Sequence, residues 1–80
     1  MHGLMMDFPL TLDVILRRAS TVHGEKEIVS RREDGSLHRT TYAELEPRVR
    51  RLAAALAALG VRRGERVATF AWNSWRHLEL

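Results

Sequence analysis

Forty-five per cent apolar and 29% charged side chains over 80 residues is globular composition, which excludes disordered and collagen-like sequence. The absence of cysteine excludes disulfides and thiolate metal sites and makes a reducing cytoplasm the expected compartment. The formal net charge is +3, and twelve of the thirteen basic residues are arginine. These arginines occur as scattered pairs near carboxylates (Glu33, Glu46, Glu65), without the interleaved aromatics of a nucleic-acid surface, so solvated ion pairs explain them better.

Residues 1–10 read as a loose leader in which Leu4, Met5, Met6 and Phe8 can dock on a surface, with Pro9 keeping Phe8 out of helical geometry. Asp7 and Asp13 interrupt any signal-peptide core. The longest apolar run, Leu52 to Leu59, is eight residues, against the ~20 needed to span a bilayer. Thr11 suits an N-cap with Asp13 in the first turn. Leu12, Ile15, Leu16, Ala19 and Val22 then line one helix face, which Gly24 ends.

Glu27 to Arg32 and the residues after Asp34-Gly35 read as a β-hairpin closed by a two-residue type I′ turn. That turn pairs Arg32 with Leu37, Ser30 with Arg39 and Ile28 with Thr41, and leaves the tip, Arg31 to His38, projecting into solvent or against another chain. Thr41-Tyr42-Ala43-Glu44 is a capping box. The helix it opens carries Leu45, Val49, Leu52, Leu56 and Leu59 on one stripe, with Pro47 as an obstacle inside and Gly60 as its stop.

Ala53, Ala54, Ala55, Ala57 and Ala58 make the rest of that helix smooth enough to be buried on more than one side. After a turn at Arg62-Arg63-Gly64-Glu65, Val67 to Ala71 is a short apolar run of the kind buried in parallel sheets. Asn73 or Ser74 then caps a final helix that meets no stop signal by Leu80. The order is helix, β-hairpin, helix, buried strand, start of helix. That is an α/β arrangement, expected as the opening segment of a larger protein.

His2, His23, His38 and His77 are dispersed, without metal-ligand spacing. Ser20, Ser30, Ser36 and Ser74 lack a nucleophile elbow, and the five glycines sit at element boundaries rather than in a phosphate loop. Glu44 and Glu46 are better explained by capping and solvation than by acid–base chemistry. Trp72 and Trp75 flank the strand-to-helix turn, where they can line a ligand crevice at a strand's carboxyl end or simply fill core; core is the preferred reading.

From residue 40 onward the ordered set T-T-Y-A-E-L, R-V-R-R-L-A-A-A-L, L-G-V-R-R-G-E-R-V-A and W-N-S-W-R-H-L-E-L resembles the N-terminal region of adenylate-forming enzymes of the acyl-CoA synthetase superfamily. H-R-T-T-Y-A-E and R-H-L-E look most like the medium- and long-chain fatty acyl-CoA synthetase branch; Gly24, Glu27 and Pro47 depart from the pattern. The resemblance implies that residues 11–80 are an incomplete N-terminal part of the large N-terminal domain of a longer enzyme. Such a fatty-acid:CoA ligase uses ATP, Mg2+ and coenzyme A to turn a carboxylate into an acyl-adenylate and then a thioester.

The family's phosphate loop, adenine segment, ribose-binding aspartate and catalytic lysine have no match here. No catalytic, cofactor-binding or metal residue is therefore carried over, and the segment alone is expected to be inactive. Its expected partners are the rest of the parent enzyme, a fatty acid as the parent's substrate, and homodimer contacts through the exposed hairpin; no nucleic acid and no transmembrane segment are expected. The alternative is a self-contained small basic module for nucleic acid or another acidic partner.

Overall fold

The computed structural model describes Gly3 and residues 6–80. The anchoring expected of Leu4 and Met5 lies outside the described residues, and Met6 and Phe8 are exposed. The elements are α1 (Leu12–Val22), β1 (Glu27–Arg31), β2 (Leu37–Thr41), α2 (Tyr42–Ala58) and α3 (Trp75–Glu79). Helix and two-stranded sheet together make this the α/β arrangement that the pattern predicts, with one element missing.

The hairpin forms, but one residue out of the expected register. Ile28 pairs with Thr40, Ser30 with His38 and Arg31 with Leu37. A type I′ turn needs positive φ at both central residues. Here Gly35 is left-handed, at φ +86°, while no non-glycine residue has a positive φ. The chain instead turns over Arg32–Gly35, the Gly35 N–H reaching the Arg32 carbonyl at 3.0 Å, and the ladder resumes with Arg32 N–H to Ser36 O at 2.8 Å. Asp34 serves as a bracket rather than a turn centre, its Oδ1 accepting from the Ser36 N–H at 2.9 Å and from the Ser36 hydroxyl at 2.5 Å. Those bonds, the hydroxyl's first, hold the Asp34 carboxyl below its ordinary pKa, with the Arg32 charge assisting.

Because strand side chains alternate, the observed register places Ile28, Ser30, His38 and Thr40 together on the half-buried face. Val29 and Arg39 face solvent, where Arg39 pairs with Glu27 at 3.1 Å.

Thr11 begins α1 in extended geometry, though its hydroxyl bonds the Asp13 carboxylate rather than a helix N–H. Gly24 ends the helix for a reason other than left-handed geometry. A Cβ there would meet the Ser20 carbonyl oxygen at 2.6 Å and the Ala43 Cβ at 3.2 Å. The bare backbone lets the exit of α1 touch the start of α2, and the Ala43 N–H donates to the Gly24 carbonyl at 3.1 Å.

Thr41 caps α2 as the sequence predicts, accepting from the Glu44 N–H at 3.3 Å, but the Glu44 carboxylate turns to the Thr40 hydroxyl at 2.7 Å instead of closing the box. The helix runs through Pro47 for 17 residues. It stops in a Schellman motif: Gly60 has φ +96°, its N–H bonds the Ala57 carbonyl, and the Val61 N–H folds back to Leu56 O at 3.1 Å.

Core is scarce. Leu45, 5% exposed, is the one buried residue among those described, with Val49, Leu52 and Leu56 half-buried along the same stripe. The Cα radius of gyration is 15.8 Å, against about 12 Å for a compact domain of this length. Ala53, Ala54, Ala55, Ala57 and Ala58 are exposed, contrary to the expectation of burial on several sides, because α1 covers only one face of α2. On α1, Leu16 and Ala19 are half-buried while Leu12, Ile15 and Val22 remain exposed.

The expected buried strand is the main correction. Residues 67–71 form no strand, and Val67 and Phe70 are exposed. A strand exists only when a neighbour pairs its N–H and C=O groups. The sheet among the described residues has two strands, both committed to the hairpin.

Candidate functional site

The polar side chains converge at one place, the corner where residues 67–72 turn into α3. Ser74, rather than Asn73, is the N-cap, its Oγ accepting from the His77 N–H at 3.4 Å. The next residue, Trp75, is half-buried and is gripped from three elements. Its backbone N–H donates to Ser30 Oγ of β1 at 3.1 Å. Its indole lies on the His38 imidazole of β2, with centroids 4.1 Å apart and planes 10° from parallel. The guanidinium carbons of Arg48 on α2 and Arg76 on α3 lie 5.2 and 5.0 Å from the ring centroid, within cation–π range.

Arg48 also forms an ion pair with Glu79 on α3, a side chain only 12% exposed. The hydrogen bond and charge of Glu79 push the Arg48 pKa up. From the other side, Thr69 Oγ1 and His77 Nε2 lie 2.9 Å apart, tying residues 67–72 to α3.

Of the two tryptophans, the structure makes Trp75 a packing residue and leaves Trp72 87% exposed. Trp72 lines a cleft of about 1030 Å³ between the hairpin tip and the corner, together with Arg31, Arg32, Asn73 and Arg76. His38 belongs to the corner rather than to the exposed tip. His23 lies apart from it at the end of α1, and His2 lies outside the described residues. Among the described residues no three His, Asp or Glu groups lie close enough to hold a metal ion. The Thr69–His77 contact resembles a nucleophile–base pair, yet no carboxylate pairs with that imidazole among the described ion pairs, so it lacks the orienting acid such chemistry uses.

The carboxylates behave as structural partners. Glu46 pairs with Arg50 along α2, Asp13 with Arg17 at 3.7 Å along α1, and Glu65 accepts from the Arg62 N–H at 2.8 Å to close its turn. The Asp13 carboxyl is held below its ordinary pKa, by the Thr11 hydroxyl foremost. The corner therefore offers a docked aromatic in a cationic frame and no assembled catalytic set. In the sequence, Ser30 and His38 are weighed only as nucleophile and metal-ligand candidates and set aside, and Arg48 and Glu79 are not singled out. Arg48 and Glu79 meet across 31 positions, and His38 comes beside Ser30 only in the shifted register.

The sequence pattern of one family, described as AMP-binding enzyme, matches residues 16–80. Among curated proteins, the long-chain-fatty-acid–CoA ligase of Thermus thermophilus is 55% identical over 75 residues, covering 94% of this chain and 14% of that protein. The 3-methylmercaptopropionyl-CoA ligase of Ruegeria lacuscaerulensis is 41% identical and the medium-chain-fatty-acid–CoA ligase of Ectopseudomonas oleovorans 40% identical, each over 80 residues and 15% of its own length. The chain thus spans 14–15% of the length of these relatives.

Proposed function

The chain belongs to the AMP-binding enzyme family, and on that premise we propose that it is the N-terminal scaffold of a fatty-acid:CoA ligase. The parent joins a carboxylate to ATP, releasing pyrophosphate, and coenzyme A then displaces AMP from the acyl-adenylate to give a thioester. The observation that carries this reading is 55% identity to a long-chain ligase across 94% of the chain. That one residue among those described is buried supports a scaffold role: the apolar faces of α1, α2 and residues 67–72 are surfaces for the rest of the parent.

For ATP, Mg2+ and coenzyme A, the described residues offer neither a phosphate loop nor a metal-binding cluster. Gly35, Gly60 and Gly64 close three separate turns instead of cradling a phosphate, and no carboxylate cluster faces a common point. We assign those ligands to the remainder of the parent and no catalytic step to this segment. The partners in this reading are the rest of the enzyme and a second copy at the exposed hairpin, without nucleic acid, in the cytoplasm. No helix among the described residues is long and apolar enough to cross a membrane.

The test is pyrophosphate and acyl-CoA formation by the full-length polypeptide across carboxylic acids of increasing length. Activity with medium or long acids, dependent on ATP and coenzyme A, is expected; no thioester from any acid refutes the reading. The 80-residue segment alone is expected to show no ATP–pyrophosphate exchange. Salt-sensitive binding of nucleic acid by the full-length protein would instead favour a basic binding module.

A further inference from the structure

We draw no further inference here: the strongest candidate, the cleft between the hairpin tip and the corner where Arg31, Arg32 and Arg76 surround the exposed Trp72, carries nothing because nothing in the structure shows what covers it.

Discussion

Replacing Gly24 by alanine tests whether the exit of α1 is held by close approach or by backbone freedom. The φ of Gly24 is not positive, so a side chain carries no left-handed penalty there. Without an obstruction, Gly24→Ala would stabilise the protein by about 0.4–1 kcal/mol, because the unfolded chain loses freedom. The obstruction is specific: the new Cβ would lie 2.6 Å from the Ser20 carbonyl oxygen, which belongs to the last turn of α1 and cannot yield as a flexible side chain would. Relieving such overlap by backbone movement costs typically ~1–3 kcal/mol. Subtracting the unfolded-state gain leaves a net loss centred on about 1.3 kcal/mol, and the sign itself discriminates between the two accounts.

The movement would stretch the bonds from the Ala43 N–H to the Gly24 carbonyl and from the Tyr42 N–H to the Lys26 carbonyl. Those two amides in the full-length protein are therefore the local probes, with exchange expected to rise roughly 5- to 30-fold. Unchanged or slower exchange at Tyr42 and Ala43 would refute the close-approach account. Gly35→Ala is the informative contrast. Nothing lies within 4 Å of its would-be Cβ, but φ is +86°; its cost, about 1–2 kcal/mol, is conformational and should stay confined to the hairpin turn.

Thr41→Ala removes the hydroxyl that caps α2 and is expected to cost ~1 kcal/mol, read as faster exchange of the Glu44 amide; Thr41→Ser should recover most of it. Pro47→Ala restores the missing N–H donor opposite the Ala43 carbonyl and is expected to stabilise α2 by up to ~3 kcal/mol, seen as slower exchange through its first turns. The Asp34 bracket predicts a pH dependence with a definite sign. Its folded pKa is depressed by the Ser36 hydroxyl and N–H, so its contribution is present above the unfolded value and is lost as pH falls through the folded one. The Ser36 amide should lose protection on acidification below about pH 4. Asp34→Asn should lose that dependence, and an identical acid profile in the variant would contradict the assignment.

The two tryptophans and the hairpin indicate how far local reasoning reaches. That the hairpin exists follows from turn chemistry near Asp34-Gly35, but its register hinged on whether Asp34 itself takes positive φ. The answer moved every cross-strand pair by one and brought His38 beside Ser30. Trp75 could be identified as a packing residue at a helix start. Its partners could not, because they come from β1, β2 and α2 at separations that leave no periodic trace.

Local sequence determined some of the caps and stops. It left Asn73 and Ser74 open, expected a cap at Thr11 whose hydroxyl instead bonds Asp13, and read Gly24 as a left-handed stop. Thr41, Ser74 and Gly60 act where they stand because capping is settled within about four residues of chain. Family membership was likewise legible in the order of short segments along the chain. Tertiary structure alone decided which apolar stripes find cover, that Gly24 is a contact point, and that residues 67–71 lie unpaired. The physical reason is range: a cap or turn is satisfied by its own neighbours, whereas burial and strand pairing depend on groups brought together from distant positions.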